Sequence, residues 1–112
     1  LKKFSILTLV LLLSSHPVAG DALYDMREKQ CHGIEEIALT VMEMRQNEVP
    51  VYQVIKEVGF SDVISEIIIE AYQDHDVVTT SEMRLMVSPA FANSYKTKCL
   101  AGVFDFRDFT KL

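Results

Sequence analysis

Residues Cys31 to Gln46 read Cys-His-Gly-Ile-Glu-Glu-Ile-Ala-Leu-Thr-Val-Met-Glu-Met-Arg-Gln. Within this stretch Cys31, Ile34, Ile37, Ala38, Val41 and Met42 recur at the three- and four-residue spacing of one helical face, while Glu35, Glu36 and Glu43 point elsewhere. Neither Pro nor a turn cluster interrupts the chain between Leu23 and Gln46, so the helix is expected over 23–46. Gly33 costs about 1 kcal/mol against Ala inside a helix, which predicts irregular first turns. Arg45 sits where the helix dipole favours a cation. Its stem continues the apolar stripe, so that it is expected to pair with an acid such as Glu70.

Downstream, the pattern repeats on a shorter scale. Asn47-Glu48-Val49-Pro50 ends the first helix, because Pro disfavours α geometry in the residue before it, and Pro50 is suited to open the next. Val51, Val54, Ile55 and Val58 share a face of a second helix, stopped by Gly59 as its C-cap. Ser61 is a natural N-cap for a third helix over 62–73, whose stripe is Val63, Ile64, Ile67, Ile68, Ala71 and Tyr72. The β-branched run Ile67-Ile68-Ile69 also fits a buried strand, but Glu66 and Glu70 keep helical spacing. Asp74-His75-Asp76 is a polar break. Thr79-Thr80-Ser81-Glu82 has capping-box form with Thr79 as cap and Glu82 reaching back. A fourth helix then carries Met83, Met86, Val87, Ala90, Phe91, Tyr95 and Cys99, kinked or split at Pro89 and ended by Gly102. The fold class expected is all-α, a small bundle of about four helices closed by one disulfide.

Upstream, the first twenty residues differ in kind. Lys2 and Lys3 precede an apolar run from Phe4 to Leu13, and Val18-Ala19-Gly20 supplies small residues before Asp21. Positive start, short apolar core and small-residue site form the signature of a secretory signal peptide. The run falls short of the ~20 residues that span a bilayer, so no stable membrane anchor is expected after cleavage. No cysteine stands at the cleavage region to carry a lipid. Leu1 in place of Met reads as a non-ATG start or a shortened leader. The organisation expected is a signal peptide at 1–20, a helical domain at 21–102 and an aromatic tail at 103–112.

From Asp21 onward nine Lys and Arg face sixteen Asp and Glu. That acidic balance disfavours nucleic acid and anionic lipid, and suits a basic protein partner. Two cysteines, Cys31 and Cys99, in a small exported domain read first as a disulfide. Each lies on the apolar stripe of its helix, and antiparallel packing of the first and last helices brings them within reach. Two free thiols or an intermolecular bridge are the alternatives.

The remaining chemistry-bearing residues have bland readings. Cys31-His32 suggests metal binding or thiol activation, yet lacks the further ligands of a zinc site. Asp74-His75-Asp76 shares only two letters with metal phosphohydrolases and reads as a solvated turn. Gly59-Phe60-Ser61-Asp62-Val63 lacks the second Gly of a nucleophile elbow. Glu35 and Glu36 diverge on a helix, which makes them poor acid/base partners. Met26, Met42, Met44, Met83 and Met86 read as core filling before a soft copper site. No phosphate-binding glycine motif is present. No catalytic, cofactor or metal site is assigned, and no cofactor is expected. Phe104, Phe106 and Phe109 either fold back on the domain or form a partner contact.

With Cys31, Ala38, Met42, Arg45, Gln46, Ala71, Tyr72, Phe91 and Cys99 in these positions, the chain resembles a family of small exported uncharacterised all-α two-cysteine proteins of proteobacteria and their phages. It departs from their pattern at Asn47-Glu48, where a Gly is usual after Arg-Gln. It departs again at Asp74-His75-Asp76, where a Pro commonly follows Ala-Tyr, and at Pro89. The function expected is that of a periplasmic or secreted non-catalytic binding protein of inhibitor, immunity or phage-accessory type. An acid-stress chaperone and a small periplasmic enzyme are the alternatives.

Overall fold

The computed structural model describes residues 19–104. The expected leader lies outside the described residues except for Ala19 and Gly20, and so does the tail beyond Phe104. Four helices follow one another: α1 (Ala19–Gln46), α2 (Val51–Val58), α3 (Asp62–Ile69), which runs on as a π-helical turn (Glu70–Asp74), and α4 (Ser81–Leu100). The all-α bundle is as the periodicity predicts, and the Ile67-Ile68-Ile69 run is helical. Among the described residues, no helix is long and apolar enough to cross a membrane.

α1 and α4 pack as the central pair. Cys31 and Cys99 are fully buried and joined as a disulfide, with their Cα atoms 5.4 Å apart. At the opposite end of the pair, Gln46 of α1 faces Ser81 and Ser88 of α4 across a shared groove, so the two helices run antiparallel. Cys31, Ile34, Ala38, Val41 and Met42 form the buried stripe of α1. Val63, Ile64, Ile67, Ile68 and Ala71 bring α3 onto it. From α2 only Val54 is buried; Ile55 and Val58 pack at the edge, and Val51 stays partly exposed.

Most helix boundaries follow from local chemistry. Ser61 Oγ accepts the Ile64 amide at 3.2 Å, capping α3, and Gly59 closes α2 at φ 85°. The end of α4 is a Schellman motif. The Gly102 amide reaches Cys99 O at 3.0 Å and the Val103 amide reaches Lys98 O at 3.1 Å, with Gly102 at φ 80°. α1 ends in the same motif, through Glu48 to Arg45 O and Val49 to Met44 O, both 3.0 Å. There a glutamate holds the left-handed position, at φ 60°.

Several local expectations need correction. The cap of α4 is Thr80, whose hydroxyl accepts the Met83 amide at 3.1 Å; Thr79 is one residue too early, and Glu82 therefore misses the capping-box position. Gly33 leaves α1 unbroken. Pro89 lies inside a helix that continues across it. Leu85 and Pro89 are both on the solvent side, where water can replace the missing amide donor. The inward face of α4 is Ser88, Phe91, Ala92, Tyr95 and Cys99, while Met83, Met86 and Ala90 point outward. Core filling therefore holds for Met42 and Met44 only. Met26, Met83 and Met86 are exposed, since no other described element covers the outer faces of α1 and α4 there.

Candidate functional site

The tightest polar constellation joins the end of α1 to the segment between α3 and α4. Arg45 donates from Nε and a terminal nitrogen to His75 O at 3.2 and 3.1 Å, and its guanidinium lies 5.2 Å from the Tyr72 ring centre. Gln46, almost fully buried, donates to Asp76 O at 3.0 Å and accepts the Val78 amide at 2.8 Å. The Tyr72 hydroxyl donates to Val49 O. Burial pushes the Tyr72 phenol above its usual range, and Arg45 partly offsets this. Consecutive residues on α1 thus bind consecutive backbone groups of an irregular segment, a structural clamp rather than a reactive centre.

The expected Arg45–Glu70 pair is not formed, because the guanidinium is taken by the His75 carbonyl. Glu70 instead spans two other groups, Lys98 Nζ at 3.4 Å and His75 Nε2 at 3.8 Å. His75 also meets the Phe91 ring edge-on at 5.2 Å. The middle residue of Asp74-His75-Asp76 is therefore tied into the fold, while both aspartates are exposed. Beneath this group lies Tyr95, fully buried, with its hydroxyl aimed at Glu66 O at 3.4 Å and Lys98 Nζ 4.7 Å from its ring centre. Burial first, then the Glu70 and Glu66 carboxylates, drive the Tyr95 phenol far above its ordinary range.

Cys31 and His32 do not combine into a site. Cys31 is buried in the disulfide, whereas His32 is on the outer surface beside Glu35 Oε1 at 3.1 Å and Glu36 Oε1 at 3.2 Å. Lys96 of α4 approaches Glu35 from the other side at 3.9 Å. Ser61 serves as a cap. Among the described residues, no group of three or more His, Cys, Asp or Glu is placed to hold a metal ion. Phe104 folds back and stacks on Tyr95 with ring centres 6.0 Å apart. Since only 8% of it is exposed, it is a core residue rather than a partner contact. The positive φ of Gly102 turns the chain so that this stacking occurs. Phe106 and Phe109 lie outside the described residues.

What remains available to a partner is surface. Leu85 and Met86 are 77% and 71% exposed at the start of α4, with Met83 beside them. Phe60 and Tyr52 are exposed around α2, and Leu23, Tyr24 and Met26 along the first turns of α1. Periodicity had directed two of the α4 residues inward; the signal that could have found this surface is Ser88 and Ala92, small residues whose spacing with Tyr95 and Cys99 marks the buried face. A second depression lies between α1 and α2, with carboxylates at its rim. Comparison of the chain with protein-family models, with curated proteins and with solved structures finds no match.

Proposed function

We propose that this protein is an exported, disulfide-locked helical binding protein that works by engaging another protein outside the cytosol, in the manner of a small inhibitor, immunity or accessory factor. The observation that carries this reading is a set of large apolar side chains, among them Leu85, Met86 and Phe60, exposed on an acidic domain. Exposed apolar groups rimmed by charge are what a partner surface requires. The leader-like residues 1–20 and the buried Cys31–Cys99 bond support action in an oxidising compartment. The resemblance to small exported two-cysteine proteins supports the same placement. Capture from a periplasmic extract with tagged mature chain tests the proposal. The expected result is one discrete basic protein, retained at low salt, released at high salt and weakened by Leu85→Ser. Recovery of only non-specific material would contradict it.

A second reading as an acid-stress chaperone is favoured by one arrangement. Glu70 links α4 and the 75–78 segment through Lys98 and His75, a tie made wholly of ionisable groups. This reading expects new dye-binding apolar surface at about pH 3. An unchanged dye signal there removes it.

A further inference from the structure

The buried line of α1 runs through Cys31, Ile34, Ala38 and Val41, at alternating three- and four-residue spacing. Counted backward at the same spacing, it continues through Arg27 and Tyr24, with Leu23 beside them. Within the bundle this line faces α4. That helix ends at Leu100, one residue after the cysteine bonded to Cys31. The stretch of α1 before Cys31 therefore runs on past the end of the helix it pairs with. Leu23, Tyr24 and Met26 are exposed there, so no described element covers them. A depression of about 210 Å³, walled by Leu23, Met26, Arg27 and Gln30, lies along the same stretch.

The chain that leaves α4 is delivered close to this face. The Schellman turn at Gly102 brings Phe104 back onto Tyr95, where it is buried. Tyr95 stands four residues before Cys99, about 6 Å along the helix, and Tyr24 stands seven before Cys31, about 10 Å further in the same direction. At about 3.4 Å per extended residue, two residues beyond Phe104 cover about 7 Å and five cover about 17 Å. Phe106 can thus reach the level of the disulfide, and Phe109 that of Leu23 and Tyr24. The sequence Asp105-Phe106-Arg107-Asp108-Phe109 supplies two aromatic rings for an apolar face and two carboxylates for the neighbourhood of Arg27. A segment tethered this closely acts at roughly millimolar effective concentration, which favours it over a free partner or a second copy.

We propose that residues 105–112 dock on the Leu23, Tyr24 and Arg27 face of α1, with Phe106 and Phe109 covering the stretch that α4 leaves bare. The docked segment takes the place of α4 beyond the disulfide. It withdraws this face from any partner and leaves Leu85 and Met86, at the opposite end of the α1–α4 pair, open to one. The assignment does not rest on the partner reading and stands or falls separately from it.

The experiment is NMR of the oxidised chain 21–112, compared with the chain 21–104, which keeps Phe104 and both cysteines. The expected result is a set of NOEs from the Phe106 and Phe109 rings to the Leu23 methyls and the Tyr24 ring. In the shorter chain the amide shifts should change over residues 22–31 and hold over 38–46, which also confirms that it folds. Leu23→Ser combined with Tyr24→Ser should abolish the NOEs; both side chains are exposed, so the bundle tolerates their loss. A sample mixing isotope-labelled and unlabelled chains separates contacts within one chain from contacts between copies. NOEs only between copies, NOEs from these rings to another face, or narrow unstructured signals from residues 105–112 would each overturn the assignment.

Discussion

The side-chain oxygen of Gln46 accepts the backbone amide of Val78 at 2.8 Å, while its nitrogen donates to the Asp76 carbonyl at 3.0 Å. One buried amide side chain thus imitates a strand partner for a segment that has no secondary structure of its own. Arg45 beside it holds the preceding carbonyl, that of His75. Together they fix the start of α4 relative to the end of α1.

Replacing Gln46 by Ala removes two hydrogen bonds and leaves the freed backbone groups poorly paired. Each bond contributes about 1 kcal/mol and an unsatisfied buried group costs more, so a loss of about 2–3 kcal/mol is expected. Urea denaturation of the variant measures it, and faster hydrogen exchange at Val78 would locate it.

The glutamate at the end of α1 gives a prediction of opposite sign. Glu48 holds φ 60° in a Schellman turn, where a residue with a Cβ is strained and glycine is not. Glu48→Gly is expected to stabilise the domain by up to about 1 kcal/mol, the relief of strain exceeding the added freedom of the unfolded chain. Gly102→Ala, at φ 80°, should destabilise by a similar amount. Thermal unfolding of the two variants checks the pair, and a lowered Tm for Glu48→Gly would contradict it.

Tyr95 sets an alkaline limit on stability. Its phenol is raised by burial and then by the nearby Glu70 and Glu66 carboxylates, so the folded state favours the protonated form. The associated stability is complete below the unfolded tyrosine value of about 10. It declines as pH rises above that value, because the unfolded chain loses the proton while the folded one retains it. Denaturation midpoints should fall above about pH 10 in the parent, and the fall should be shallower in Tyr95→Phe. That variant gives up the phenol's long hydrogen bond to Glu66 O and its interaction with the Glu70 side chain.

The α1 and α3 stripes were legible because aliphatic residues at helical spacing face a single core. The cysteine pairing was legible because both sulfurs lie on such stripes. The inward face of α4 was legible only in part: Phe91, Tyr95 and Cys99 stand where the periodicity puts them, but Ser88 and Ala92 complete the face while larger methionines point to solvent. Hydrophobicity alone ranks those residues in the wrong order. The Arg45–Gln46 clamp was also hidden: its partners are backbone groups of residues 75–78, and backbone acceptors leave no trace in side-chain patterns. Thr80 displaced Thr79 as the cap because two adjacent threonines offer the same chemistry. Only the path of the chain selects between them.

Losing the covalent tie between α1 and α4 should be costly. The bond closes a separation of 68 residues, which constrains the unfolded chain by about 4 kcal/mol in the chain-entropy account. For a domain of this size that is a large share of its stability. The Cys31→Ala, Cys99→Ala chain should therefore unfold at much lower urea concentration, or fail to fold at 37 °C, as circular dichroism would record.

The proposed role requires an oxidised Cys31–Cys99 pair in a chain that has left the cytosol. Mass spectrometry of protein isolated from its native cell under thiol-alkylating conditions tests this directly. The expected spectrum shows a chain lacking about the first twenty residues, untouched by alkylator until reductant is added and doubly modified afterwards. Two alkylated thiols without reductant, or a cytosolic product still carrying residues 1–20, would contradict it.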